Sequence, residues 1–378
     1  MKSLLVIAGE LSGDMHAAGV VRELKARAPD LQVWGIGGDG LRAAGMDIVV
    51  ESRDMAVLGL WEVLKRYGFL RGVFHRMVRL ARERKPDAVL LIDYPGFNLR
   101  FAAEMKKLGI KVIYYVCPQV WAWHRSRIPK MARILDRLLV IFPFEVEVFA
   151  GTGLRVDYVG HPLVDEARRE RAAEAGPALP WRSARRLAIL PGSRRQEIER
   201  ILPPMIQAAG ILQRREPDLS VVVAAASTEM ATQIRGRLLG ITGRPLALDV
   251  VVGSTRRILR EATAALVKSG TSTIEAALMG CPMVVVYRTA GLTYWLGKRL
   301  VKVPYLGMAN LIADREAFRE LIQDAATPEA LAAAIGPLLR ETPERTASLE
   351  AVAEVTRKLG EGGAAQHTAA IVLEELGA

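Results

Sequence analysis

The stretch Ala88-Val-Leu-Leu-Ile-Asp-Tyr-Pro-Gly-Phe-Asn98 decides the fold class. Its apolar run is short and ends abruptly at Asp93, Tyr94 and Pro95. Such a run, bounded by a turn, reads as a strand buried on both faces, the kind found in parallel sheets. Pro95 stops the strand by removing a backbone donor, and Gly96 frees the turn behind it. Asp93 then stands at the C-terminal end of a buried strand, where α/β proteins place their ligands. A carboxylate there can take a proton from a hydroxyl as it attacks. The plain structural alternative is that Asp93 caps a helix starting near Asn98. Asn98 is itself a good N-cap, so that duty does not need Asp93.

The same signature recurs on either side. Leu4–Ala8, Val33–Ile36, Lys111–Val116 and Leu138–Ile141 are short apolar runs separated by helical segments, the first of these being Asp14–Lys25. Between about Asp165 and Arg186 the composition turns charged and then broken, which marks a linker. The alternation restarts with Leu187–Leu190, Val221–Ala225, Leu246–Val252, Ala264–Val267 and Met283–Val286, and from Thr327 the chain is rich in Ala, Leu and Glu and reads as helical. Two successive parallel α/β domains are expected, with a ligand between them at the C-terminal ends of strands.

The bulk properties agree. A chain of 378 residues, 51% apolar and 25% charged, is globular and long enough for two cores. Its 52 Lys and Arg against 41 Asp and Glu leave a net charge of +11, which suits nucleic acid, an anionic membrane face or phosphorylated small molecules without choosing among them. The two cysteines, Cys117 and Cys281, sit in apolar runs and suggest neither a disulfide framework nor a metal site. The apolar run before Gly9 is short for a secretory signal, and no uninterrupted apolar stretch approaches a spanning helix. The expectation is a soluble or peripheral protein of a reducing cytosol. No Asp-x-Asp motif and no paired histidines at ligand spacing occur, so no metal and no cofactor are expected.

Several loops carry chemistry. Pro191-Gly192-Ser193-Arg194-Arg195-Gln196 opens the first helix of the second domain, where backbone N–H groups and Arg194 suit a phosphate. Its alternative is a capping box, Ser193 with Gln196. Ser269-Gly270-Thr271-Ser-Thr-Ile-Glu275 follows a strand and suits a diphosphate, with Glu275 placed to accept from ribose hydroxyls; its alternative is the capping box Ser272 with Glu275. Gly35-Ile-Gly-Gly-Asp-Gly40 matches a dinucleotide fingerprint but follows the second strand rather than the first. It and Ala8-Gly-Glu-Leu-Ser-Gly-Asp14 read as tight turns, with Ser12–Asp14 the better ligand contact. Within Val57–Lys85, Trp61, Phe69, Leu70 and Phe74 interleave with Arg66 and further arginines, which reads as a membrane-surface or acyl-chain segment; the alternative is a crossover helix with a solvated basic face. Tyr114–Arg125 is aromatic and then basic, so Trp123 and Arg125 are candidates for a sugar or phosphate, whereas Trp121 reads as core. His16 and His124 rival Asp93 as bases.

Taken together, Ala8-Gly-Glu-Leu-Ser-Gly-Asp14, Ile92–Asn98, Pro118-Gln-Val-Trp-Ala-Trp123, Phe142-Pro-Phe-Glu145, Val159-Gly-His-Pro162, Leu190-Pro-Gly-Ser-Arg194, Ser269-Gly-Thr, Leu300-Val-Lys302 and Asn310-Leu-Ile make the chain resemble the lipid-A-disaccharide synthases over nearly its whole length. The resemblance implies a GT-B-type fold, two Rossmann-like domains with parallel sheets facing a central cleft. The first would span 1–165, bind the acceptor and face the membrane, completed by a C-terminal helix at about 345–378. The second would span 185–344 and bind the UDP-sugar. The implied reaction is an inverting, metal-independent transfer from UDP-2,3-diacylglucosamine to 2,3-diacylglucosamine 1-phosphate (lipid X), on the cytoplasmic face of the inner membrane. It implies Asp93 as base, Glu10 lining the first glycine turn, Arg194 on the diphosphate and Asn310 in the site, and it admits a homodimer. Two departures stand out. Gly96 replaces an acidic residue of some members, so Asp93 acts without it, and His124 replaces an arginine, leaving Arg125 adjacent. The rival readings are a dinucleotide oxidoreductase, from Gly35–Gly40, and a nucleic-acid binder, from the charge. The arginines among large apolar residues favour membrane over nucleic acid.

Overall fold

The computed structural model describes residues 1–55, 60–174, 176–301 and 303–377, and of residues 60–67, 292, 293, 296, 298 and 300 the backbone alone. The chain divides into two compact units, Met1–Pro162 with Gly362–Ala378, and Leu163–Glu361.

The first unit is built on β1 (Ser3–Ala8), β2 (Gln32–Gly37), β3 (Asp47–Glu51), β4 (Ala88–Ile92), β5 (Lys111–Tyr115), β6 (Arg137–Val140) and β7 (Arg155–Tyr158). Among the described residues these form one parallel sheet in the order β3-β2-β1-β4-β5-β6-β7. The strand order reverses between β1 and β4, where Ala8 pairs with Ile92. The second unit repeats the plan with β8 (Arg186–Leu190), β9 (Ser220–Ala225), β10 (Leu248–Val252), β11 (Ala264–Lys268), β12 (Met283–Tyr287) and β13 (Glu320–Ile322), in the order β10-β9-β8-β11-β12-β13. Its reversal falls between β8 and β11, where Leu190 pairs with Val267. Both are Rossmann-like α/β units, and each has a crevice position at its reversal point.

The central strands β1, β4 and β9 are continuous apolar runs because helices cover both sheet faces. The strands that the apolar runs do not announce are β3, β7 and β13, all at sheet edges. An edge strand is half exposed, so Asp47-Ile-Val-Val-Glu51 and Arg155-Val-Asp-Tyr158 carry polar residues and read as loops.

Three boundaries differ from expectation. The helix Pro95–Lys107 begins at Pro95 instead of near Asn98, since proline is pre-organised for a first turn. The charged stretch after Asp165 is half helix, Pro162–Ala172, and groups with the second unit. The chain's return comes later than 345: helix Pro343–Lys358 packs on Ser272–Leu278 and Met308–Ala313, and only Ala364–Leu376 packs on Leu11–Arg27 in the first unit. Glu375, nearly enclosed, fixes that last helix through Arg155 at 2.5 Å, Arg137 at 3.1 Å and Lys111 at 3.4 Å.

The helix Leu60–Arg84 takes the crossover alternative over its described length. Val73, Met77, Val78 and Ala81 are buried in the first unit's core, and Leu70 and Phe74 pack against it. Phe74 meets the rings of Phe97 at 5.4 Å and Phe101 at 5.9 Å. Leu70 and Phe74 therefore face the core, not a membrane, because the helix needs that face to cover the sheet. Phe69 is exposed. No helix among the described residues is long and apolar enough to cross a membrane.

Candidate functional site

In the first unit the groups gather at the reversal between β1 and β4. Asp93 and Tyr94 leave β4 with φ of 44° and 48°, two consecutive non-glycine residues in the left-handed region. Each costs about 1–2 kcal/mol and persists only where the surroundings over-determine it. Here they do. The Asp93 N–H donates to Tyr115 O at 3.0 Å, and its carbonyl accepts from Tyr114 Oη at 2.5 Å and from Asn98 Nδ2 at 2.8 Å. Asn98, wholly buried, also donates to Ile92 O at 3.1 Å. It does not cap the helix; it clamps the strand end. The Tyr94 ring lies against Gly9, where a Cβ would come within 2.6 Å of it, and its hydroxyl donates to Met55 O at 3.2 Å.

With the backbone clamped, the Asp93 carboxyl is presented in a partly buried position. Burial pushes its pKa up from 3.8 to about 6, and the negative charge of Glu10 adds to the rise. The same two causes raise Tyr94. Glu10, exposed at the N-cap of helix Leu11–Arg27, thus sits close enough to Asp93 for two carboxylates to compete. His16 is placed differently. It lies near His161, which burial first, and then His16, holds at about 3 and so keeps neutral.

Asp14 is not a ligand contact. It is buried, and its carboxylate accepts from the N–H groups of Gly38 at 2.6 Å, Gly40 at 2.9 Å and Leu41 at 3.3 Å. The Gly35–Gly40 turn thereby already has its anion, which removes the basis for a dinucleotide reading. Glu145 is almost wholly enclosed and accepts from Trp121 Nε1 at 3.0 Å and Phe142 N at 3.1 Å; burial raises it to about 7. It ties together two of the aromatic motifs and fixes Trp121 in the core. Trp123 is half exposed with His124 against its ring at 4.2 Å, and Arg125 is exposed, its Nε donating to Trp121 O at 3.4 Å. The side chains of Trp61 and Arg66, and Lys302, lie outside the described residues.

In the second unit the groups gather at the reversal between β8 and β11. Helix Arg195–Arg215 starts from Arg194 with no side-chain cap, so the Ser193–Gln196 box does not form. Gly192 has φ of 108°, and a Cβ there would meet Glu197 Oε2 at 2.5 Å. Ser193 and Arg194 are exposed, and Arg194 lies 3.7 Å from Glu197. Gly270, with φ of 143°, opens the turn after β11, and Thr271 is exposed beside it. Neither Ser272 nor Thr271 caps the short helix Ser272–Leu278.

Two candidates are engaged inside the fold. Ser269 is buried and donates to Leu306 O at 2.7 Å. Asn310 is completely buried; its amide donates to Phe318 O and Glu320 Oε1 and accepts from Phe318 N. Glu320 in turn accepts from Leu306 N at 2.9 Å and Gly307 N at 2.8 Å. Ser269 and Asn310 therefore hold the 305–307 loop beside Gly270. Glu275 pairs with Arg256 at 3.2 Å; burial raises its pKa, and Arg256 opposes the rise. Lys268, the last residue of β11, bonds Glu197 Oε1 at 2.9 Å. Lys268 belongs to none of the motifs above, and its signal in the sequence is a lysine directly before Ser269-Gly270 at a strand's C-terminal end. Among the described residues no cluster of His, Cys, Asp or Glu could hold a metal ion.

Two Rossmann-like units, each with its reversal point at the C-terminal ends of its strands, make the GT-B-type architecture. Solved structures of that architecture align over the whole chain: a putative UDP-N-acetylglucosamine 2-epimerase from Listeria monocytogenes (TM-score 0.69, 15% identity, 99% of this chain and 96% of that one) and MurG of Acinetobacter baumannii (TM-score 0.59, 15% identity, 99% and 100%). A family model described as lipid-A-disaccharide synthetase matches residues 4–373. The chain is 41% identical to the lipid-A-disaccharide synthase of Trichlorobacter lovleyi over 98% of its length and 97% of that protein's, and 40% identical to that of Geobacter metallireducens over 100% and 98%. The chain belongs to the lipid-A-disaccharide synthase family.

Proposed function

We propose that the chain transfers 2,3-diacylglucosamine from UDP-2,3-diacylglucosamine to the 6-hydroxyl of 2,3-diacylglucosamine 1-phosphate, releasing UDP and the β-1,6-linked disaccharide 1-phosphate. The family membership supports the reaction, and the observation that carries the mechanism is the Asp93 carboxyl raised to about 6. A base needs a pKa near the working pH to hold the proton it receives yet stay ionised beforehand. The acceptor oxygen attacks the anomeric carbon as Asp93 takes its proton. The bond from that carbon to the diphosphate breaks, its electron pair leaves with UDP, and the carbon inverts.

Glu10 tunes Asp93 in this reading, and His16 acts behind it. Gly192, Ser193, Arg194, Gly270 and Thr271 bind the diphosphate, and Glu275 the ribose. Ser269 and Asn310 position their loop. Trp123 and Arg125 serve the acceptor, and Phe69 marks the side facing the cytoplasmic surface of the inner membrane, where both acylated substrates reside. Purified protein given both diacyl sugars should release UDP in step with disaccharide, identified by mass. UDP release that does not depend on the sugar 1-phosphate would refute this acceptor.

A further inference from the structure

Three charged side chains crowd the reversal point of the second unit. Glu197 bonds Lys268 Nζ at 2.9 Å and lies 3.7 Å from Arg194. The glycines on either side are open toward them. A Cβ on Gly192 would fall 2.5 Å from Glu197 Oε2, and a Cβ on Gly270 would fall 3.5 Å from Lys268 Nζ. The carboxylate and the ammonium thus fill the space that the two glycines leave. Two cations face one anion, so the spot carries a net positive charge. The cations are unequal: the Lys268 side chain is 19% exposed and that of Arg194 78%. An enclosed charge is screened less by water and salt, and acts more strongly on an anion beside it.

We infer that Lys268 is a ligand of the donor's diphosphate and the main electrostatic support of the leaving group, with Arg194 as the outer cation. The inference rests on the proposed function for its donor. An ammonium has three donors, and Glu197 uses one. Glu197 neutralises a largely buried lysine until the donor arrives, avoiding the cost of an unpaired charge. As the bond to the anomeric carbon breaks, the electron pair moves onto the diphosphate, and a fixed cation stabilises it most at that moment.

Isothermal titration with UDP and with uridine tests this without turnover. The wild-type protein should prefer UDP to uridine. Lys268→Met should weaken UDP by at least about tenfold, the size of one charge-assisted contact, and leave uridine unchanged. Lys268→Arg should keep the preference. The double variant Lys268→Met/Glu197→Gln, which leaves no unpaired carboxylate, should behave as Lys268→Met. Retention of the wild-type preference by Lys268→Met or by the double variant overturns the inference, as does equal loss of UDP and uridine. A wild-type protein indifferent to the diphosphate overturns the proposed function as well.

Discussion

Changing Asp93 to Asn removes one charge and one proton acceptor while keeping the shape. Asn is also well suited to the left-handed backbone at that position. With a pKa of about 6, the wild-type carboxyl is about 97% ionised at pH 7.5, so almost every molecule holds a competent base. Loss of a general base costs about 10²–10⁴ in rate, or about 3–5 kcal/mol of barrier. Stability should move the other way. The folded pKa lies above 3.8, so the folded state binds protons more tightly and loses stability as pH rises from about 4 to 6. A shift from 3.8 to about 6 equals about 3 kcal/mol at most, and partial solvent contact trims this to about 1–2. Asp93→Asn should therefore turn over at least a hundredfold more slowly, bind UDP normally, and melt higher at pH 7.5. That gain should fade below pH 4. In the wild type, log kcat should fall by one per pH unit below pH 6, and Glu10→Gln should move this limb to lower pH. A tenth or more of wild-type activity in Asp93→Asn, or a lower melting temperature at pH 7.5, would refute the reasoning.

Gly9→Ala pushes a Cβ into the Tyr94 ring, displacing the turn that presents Asp93. Its kcat should drop at least tenfold, whereas Gly96→Ala, where a Cβ meets nothing within 4 Å, should be silent. Asn98→Ala removes the side-chain donor to the buried Ile92 carbonyl and one of two donors to the Asp93 carbonyl, and should cost about 1–3 kcal/mol in denaturant unfolding. Phe74→Ala should cost about 2–3 kcal/mol by loss of core contact and leave binding to anionic vesicles unchanged. Phe69→Ser should stay within about 0.5 kcal/mol of wild-type stability and weaken vesicle binding; unchanged partition would remove Phe69 from the membrane-facing surface.

Much of this protein is written in local pattern. Ala88–Ile92, followed by Asp93, Pro95 and Gly96, signals a buried strand, its end, and a carboxylate at that end. The central strands and both glycine loops are legible in the same way, because burial on two faces demands an uninterrupted apolar run. The edge strands β3, β7 and β13 are not legible, since one open side admits the polar residues of a loop.

Partners distant along the chain are legible in no local pattern. Ala8 lies beside Ile92 and Leu190 beside Val267 only because the sheets reverse there. That reversal buries Asp93, brings Glu10 to it and Glu197 to Lys268, and so raises one carboxyl and holds one ammonium. The pattern of helix Leu60–Arg84 shows an apolar face but not what covers it, and packing assigns Leu70 and Phe74 to the core. Hydroxyl and amide groups such as Ser269 and Asn310 look equally ready for a ligand or a loop in sequence, and tertiary structure commits them to the loop. The sequence by itself determined the buried central strands and where they end. The tertiary structure alone decided which groups meet, because periodicity records burial while charge and hydrogen bonding depend on neighbours that only the folded chain supplies.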